Sequence, residues 1–172
     1  MQEHEAIARL KHGDIAGLDV LVRQYQYQAV RAATLVIRDR TAAEDVVQSA
    51  FLRIVSRIHQ FDSQRPFGPW FLRIVLNDAL KEAQRRERYT SLDQTSDAGM
   101  TPLDLLLAEA CGPELILEQG ETREAVVNAL NQLTPLQRAA IVQRYYLGMS
   151  EAEMARDSAA SAGAIKLRLF GA

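Results

Sequence analysis

The sequence predicts an all-α protein of two small helical domains, and three observations carry that expectation. Apolar residues recur at spacings of three and four along most of the chain, as a helix with one buried face requires. No stretch shows the period-two alternation of a half-buried strand, and there is no internal repeat. A small, polar, acidic stretch, SLDQTSDAGMTP over 91–102, separates two groups of helices. The expected organisation is a domain over 1–90, an acidic flexible linker over 91–113, and a domain over 114–172. The second carries a helix-turn-helix and looks shortened at its C-terminal end.

The elements follow in order. Residues 3–11 form a short helix with Ile7 and Leu10 on one face. His12-Gly13-Asp14 ends it, with Gly13 suited to a left-handed stop and Asp14 to capping the next helix. Residues 15–37 place Leu18, Leu21, Val22, Tyr25, Val30, Ala33 and Ile37 at helical spacing. After the turn at Arg38-Asp39-Arg40, Thr41 and Glu44 read as a capping box. The helix they open buries Val46, Val47, Ala50, Phe51, Ile54, Val55 and Ile58. Pro66, Gly68 and Pro69 read as a corner over 61–69, and a helix resumes from Trp70 to about Arg88. LDLLLAEA, from Leu103, looks helical until Gly112-Pro113 breaks it. Residues 121–133 form a helix with Ala125, Val126, Ala129, Leu130 and Leu133 inward. Thr134-Pro135 starts another, which stops at Gly148. Ser150 with Glu153 caps a short helix ending near Asp157, and a last helix spans 162–170.

Composition narrows the function. The 172 residues are 48% hydrophobic and 24% charged, ordinary globular values. A net charge of −2 argues by itself against nucleic acid, but the distribution argues for it. From Arg53 to Arg88 eight cations face four acids, a net +4; from Tyr89 to Thr134 eight acids face one cation, a net −7. Cys111 is the only cysteine, which excludes an internal disulfide, and His4, His12 and His59 have no ligand spacing. No apolar run approaches the roughly 18 residues of a membrane span, so a soluble cytoplasmic protein is expected. No serine has a neighbouring base and no glycine-rich phosphate loop appears. No catalytic residue, metal, cofactor or small-molecule substrate is therefore expected.

Two features point to a partner. The stretch from Thr41 to Arg88 reads as two helices around an aromatic corner, and the second opens on Phe67, Trp70 and Phe71 and closes on Arg85, Arg86 and Arg88. Aromatics stack on bases and arginines hold phosphates, although the same residues also make an ordinary core and a solvated helix end. Trp70 and Phe71 are adjacent, so one should pack inward and the other outward. The last helix offers Lys166 and Arg168 as DNA donors, but also Leu167, Leu169 and Phe170, and a weak grip is expected.

Taken together, these stretches resemble the bacterial extracytoplasmic-function sigma factors over nearly the whole chain. His12-Gly13-Asp14 with LDVLVRQYQ is similar to the family's opening helix pair. AEDVVQSAFLRIVSRIHQFD is similar to its polymerase-binding helix, FGPWFLRIVLNDALKEAQRR to its minus-ten helix, and LNQLTPLQRAAIVQRYYLGMSEAEMA to its helix-turn-helix entry. The resemblance implies core RNA polymerase and promoter DNA as partners, with an anti-sigma factor occluding the polymerase-binding face. It implies polymerase contacts at Asp45, Gln48, Phe51, Leu52 and Arg53, of which Phe51 supports the helix from within. It implies a loop at Phe61, Asp62, Ser63, Gln64 and Arg65 that captures a flipped base, and strand contacts at Trp70, Arg73, Asn77, Lys81 and Arg85. Lys166 and Arg168 match the minus-thirty-five helix. The acidic linker resembles the segment threaded near the polymerase active centre.

Departures qualify these implications. Ser49 stands where the family has an acid, and Leu76 replaces an arginine, which removes an expected DNA contact. Ala164 and Leu167 replace hydroxyl residues, and the basic extension after them is missing. The expected function is a non-enzymatic sigma factor that recognises and helps melt the minus-ten element, with weaker minus-thirty-five recognition. The alternative is a sigma-like protein that binds polymerase or a regulator without productive DNA recognition. A free helix-turn-helix repressor would need a stronger last helix than this one.

Overall fold

The computed structural model describes residues 3–90, 125–158 and 160–172, and every regular element among them is helical. Helix α1 (Glu3–Lys11) leads into α2 (Ala16–Ile37), α3 (Arg40–Arg57) and a 3-10 turn at Ile58–Gln60. Then come α4 (Phe67–Thr90), α5 (125–132) and α6 (Pro135–Ile141), which loosens into a π-helical turn at Val142–Tyr146. Helices α7 (Glu151–Ser158) and α8 (Ala162–Phe170) complete the chain. The linker expected over 91–113 and the LDLLLAEA helix lie outside the described residues.

Local chemistry explains most boundaries. Gly13 takes φ 83 at the end of α1, where the Asp14 amide bonds back to the Arg9 carbonyl at 2.9 Å. Asp14 Oδ1 accepts from the Ala16 amide at 3.0 Å. At α3 the cap is Asp39, whose Oδ1 accepts from the Ala42 amide at 2.9 Å, rather than the expected Thr41. Glu44 instead pairs with Arg40 at 2.8 Å, one turn away. Thr134 with Gln137, and Ser150 with Glu153, form capping boxes in which each side chain accepts from the other's end of the turn. Helix α4 begins at Phe67, three residues before the expected start, because Gly68 and Pro69 fall in a first turn whose amides need no helical partner.

Helices α2, α3 and α4 pack around one core, closed at one end by α1. Phe67 and Phe71 are fully buried and meet Tyr25, Phe51 and Phe61, with ring centroids 4.4 Å apart for Phe51 and Phe71. Burial of each such ring contributes roughly 1.5–3 kcal/mol. A smaller core of Ala140, Met149, Met154 and Ile165 holds α6, α7 and α8 together. The two cores are joined, because Ala139 of α6 and Val142 of the π-helical turn belong to the first. In α5 the buried position is Val127, while Ala125, Val126 and Ala129 are exposed. Leu130 and Leu133 are half-buried, so the expected inward face holds at its end and shifts to Val127 at its start.

Candidate nucleic-acid interface

Helix α4 presents two different faces. Phe71, Leu72, Val75, Leu76, Ala79 and Ala83 are buried, whereas Trp70, Arg73, Asn77 and Lys81 are half-buried or exposed. At 100° per residue these four fall on one stripe, which Arg85 and Arg88 continue over roughly 27 Å of helix. Of the adjacent pair, Phe71 packs inward and Trp70 is half-exposed, its ring 4.9 Å from Phe61 and 5.6 Å from Phe67. Leu76 is 1% exposed and belongs to the core. The expectation that it vacates a DNA contact therefore needs correction: on this backbone a cation at 76 would point away from solvent.

The cations of the stripe have acidic neighbours. Lys81 lies 3.7 Å from Asp78, and Arg85 makes two 2.8 Å bonds to Glu82. Those bonds hold the Glu82 carboxyl below its usual range. Arg53 pairs with Asp78, so it joins this cluster rather than the outer face of α3. Arg86 reaches Asp39 at 2.5 Å.

The loop before α4 is built from its two ends. Phe61 is buried, an anchor rather than a stacking surface in this conformation. Asp62 Oδ1 accepts from the Gln64 amide at 3.0 Å and the Asp62 carbonyl from the Arg65 amide at 3.0 Å, a tight turn that leaves Asp62, Ser63, Gln64 and Arg65 exposed. Lys11 at the end of α1 ties the turn down, donating to the Phe61 carbonyl at 2.8 Å and to Ser63 Oγ at 2.7 Å. Nothing in the sequence near Lys11 announces that role, because its partners stand fifty residues away.

At the same end of the stripe, the second group of helices closes over α4. Arg73 Nη2 lies 3.3 Å from Glu153 Oε1, and Arg73 Nε lies 3.3 Å from Asp157 Oδ2, both carboxylates on α7. The second contact is an ion pair without hydrogen-bond alignment, so both buried atoms lack a hydrogen-bond partner. Trp70 and Arg73 line a cleft of about 360 Å³ whose far wall is Leu147, Gly148, Met149 and Glu153. Arg138 is 3% exposed and spans the junction, donating through Nε to the Val36 carbonyl of α2 at 2.9 Å and through Nη1 to the Leu133 carbonyl at 2.5 Å. Burial lowers its pKa below the ordinary guanidinium value, and the Arg38 charge adds to that. An arginine between Gln137 and Ala139 reads as a surface residue, so sequence reasoning missed it. Glu153 was legible only as a helix cap.

On α3, Asp45, Gln48 and Leu52 share an exposed face, and Leu52 is 70% exposed. Phe51 is buried behind them. A groove of about 440 Å³ between α2 and α3 runs beside that face, lined by Leu18, Val22, Val30, Val47, Phe51 and Leu52. On α8, Lys166 is exposed and stands 6.0 Å from the Phe170 ring, while Arg168 is half-buried about 200° away around the helix. The two do not share a face. Leu167 and Phe170, 76% and 80% exposed, dominate the outer surface instead.

Comparisons with known proteins bear on this geometry. Residues 21–89 match the family model of sigma-70 region 2, and residues 123–172 that of sigma-70 region 4. The chain is 27% identical to the RNA polymerase sigma-H factor of Pseudomonas aeruginosa over 173 residues, covering 99% of this chain and 90% of that protein. It is 29% identical to the ECF RNA polymerase sigma-E factor of Escherichia coli K12 over 170 residues, 96% of this chain and 87% of the relative. Among solved structures, CnrH in complex with the cytosolic domain of CnrY superposes with a TM-score of 0.59 at 23% identity, covering 98% of this chain and 90% of that one. RpoE of Bartonella quintana, solved with the anti-sigma factor NepR, gives 0.59 at 20% identity over 87% and 89%. These two likenesses concern the fold.

Proposed function

Because the chain belongs to the extracytoplasmic-function sigma factors, sigma-70 proteins that direct RNA polymerase to promoters, we propose that the stripe of α4 and the 62–65 turn are its minus-ten surface. The observation that carries this assignment is the single line of Trp70, Arg73, Asn77, Lys81 and Arg85 along one side of α4, half-buried at its first three positions and exposed at the last two, with the exposed turn at its head. Trp70 offers an aromatic face to a melted strand, Arg73, Lys81 and Arg85 meet its phosphates, and Asn77 donates to or accepts from a base edge. The turn receives a base drawn from the stack, and Phe61 braces it from within.

Asp45, Gln48 and Leu52 form the polymerase-binding face, with Phe51 as its support and Arg53 at its edge. The apolar groove beside them suits a helix of an anti-sigma factor, a partner class that the solved RpoE complex contains. Residues 1–90 act as the polymerase and minus-ten domain and 114–172 as the helix-turn-helix domain, working in the cytoplasm without chemistry of their own. Because Lys166 and Arg168 face opposite ways, minus-thirty-five contacts contribute little.

The test is reconstitution with bacterial core polymerase on a promoter library, scored by run-off transcripts. Transcripts sharing a minus-ten motif and no minus-thirty-five motif are expected. Trp70→Ala should lower promoter opening about tenfold, the value of one stacked base, with polymerase affinity held within about twofold. The exposed apolar face of α8 favours one second reading, a protein that binds polymerase without productive DNA recognition. Stable polymerase binding with no initiation anywhere would select it.

A further inference from the structure

The turn assigned to base capture is short and exposed, and the bonds of Asp62 to the Gln64 and Arg65 amides lie within it. Local bonds of that kind close a turn without fixing where it stands. Its place is set from α1. Lys11 Nζ donates to the Phe61 carbonyl at 2.8 Å and to Ser63 Oγ at 2.7 Å, and stands 5.9 Å from the centroid of the Phe61 ring. One ammonium thus grips the chain at both the entry and the middle of the turn. Helix α1 is itself held, because Ala6, Ile7 and Leu10 are buried and Gly17 of α2 meets the Ala6 carbonyl too closely to admit a side chain. At the other end of α1, Glu3 accepts from the Tyr25 hydroxyl, and the Tyr25 ring packs on Phe67 and Gly68 where α4 begins. Helix α1 therefore braces both sides of the loop that carries the turn.

We propose that Lys11 is a positioning residue for base capture, holding the 61–65 turn in its receiving shape before DNA arrives. The proposal rests on the assignment of that turn to a base drawn from the minus-ten strand. Drawing a base from the stack is costly, and a turn that had to be ordered at the same moment would add to the cost. A charge-assisted tie to a carbonyl and a hydroxyl settles that ordering in advance. Ser63 accepts from Lys11, so its own hydroxyl hydrogen stays available to the incoming base. Lys11 acts through the turn rather than on the nucleotide. That separates it from a phosphate-binding cation, whose effect would not depend on whether one particular nucleotide carries its base.

Full-length wild type is compared with Lys11→Met, which keeps the packing of the stem and removes the donors, and with Arg23→Met. The latter removes an exposed cation of α2 paired with Asp19 and controls for lost charge. In the free proteins, NMR relaxation gives backbone order parameters at 62–65. In the reconstituted holoenzyme, anisotropy gives the affinity for a fluorescent single strand carrying the minus-ten motif recovered from the promoter library. The strand is used intact and with an abasic site at each motif position in turn. For Lys11→Met the order parameters should fall from about 0.85 to below about 0.6. Its affinity for the intact strand should drop about fivefold or more, and the deficit should shrink to within about twofold when the abasic site stands at one position only, the captured base. Arg23→Met should match wild type on both measures.

An ordered turn in Lys11→Met overturns the proposal. So does a Lys11→Met deficit that is equal on the intact strand and on every abasic strand, since a general loss of charge or stability would act that way. If Lys11→Met unfolds by circular dichroism, Ser63→Ala, which releases one end of the tie and leaves α1 intact, is read by the same two measures. A wild type indifferent to an abasic site at every position defeats the capture turn itself, and the proposal falls with it. That failure shows in the wild type, whereas failure of the Lys11 role shows in the variants alone.

Discussion

Tyr25 is half-buried beneath the corner, its hydroxyl donating to the Glu3 carboxylate while its ring meets Phe67 at 5.4 Å. Burial, then the hydrogen bond and charge of Glu3, push the phenol above its ordinary value of 10.0. A raised folded pKa means the neutral phenol contributes its full stability below pH 10, and the contribution falls as pH rises toward the folded value. Urea melts should therefore show a midpoint that declines from about pH 9 to pH 11. Tyr25→Phe should remove part of that decline, at a cost of about 1 kcal/mol at pH 8. Tyr146, also raised by burial, supplies part of the remainder. Leu76 makes the opposite case, a buried apolar residue where family resemblance suggested a missing cation. Leu76→Arg should cost roughly 3 kcal/mol or more, because the charge would enter the core unpaired. Thermal melting checks it. A variant that melts like wild type and gains DNA affinity would show that position 76 reaches solvent after all.

Among the helices, packing decides which propensities matter. Helix α1 is nine residues long, too short to hold itself in water, and stays helical because α2 receives it closely. Gly17 is the point of contact. A Cβ built there would lie 2.3 Å from the Ala6 carbonyl oxygen, a backbone atom that cannot step aside. Gly17→Ala should destabilise the protein by about 1–3 kcal/mol, visible as a lowered denaturation midpoint, with early hydrogen exchange in α1 as its local signature. The same closeness lets Lys11, at the end of α1, reach across to the 61–65 turn. Helix α4 shows the reverse balance. Its buried side follows apolar spacing, and what remains outward is the stripe proposed for recognition.

For the chain as a whole, the capped start of α7 carries a pH dependence, to which the junction with α4 adds a smaller part. The Ser150 amide and hydroxyl, with Arg73 and Arg156 adding charge, hold the Glu153 carboxyl below its ordinary 4.5. A depressed folded pKa means the contribution is complete above the unfolded value and is lost as pH falls through the folded one. Arg73 from α4, and Ser150, Arg156 and Asp157 on or beside α7, are the groups facing it. Residue-resolved NMR should show the start of α7 fraying as pH falls below about 4.5, with the first core still folded. Loss of both together would place the acid sensitivity elsewhere.

Local chemistry was readable from the residues alone: the all-α class, the cap at Thr134, the capping box at Ser150, the stop at Gly13, and the division of adjacent Trp70 and Phe71 between an inward and an outward side, though not which takes which. Each depends on neighbours within a turn or two, or on an apolar period that any folded helix must satisfy. Three features needed the tertiary structure. Phe61 is core rather than rim, Arg53 turns to Asp78 on α4, and Arg73 is met by Glu153 and Asp157. Those outcomes depend on which surfaces meet across 25 to 80 positions of sequence. A charged residue carries no local sign of whether its partner will be a carboxylate of its own chain or the phosphate of another molecule.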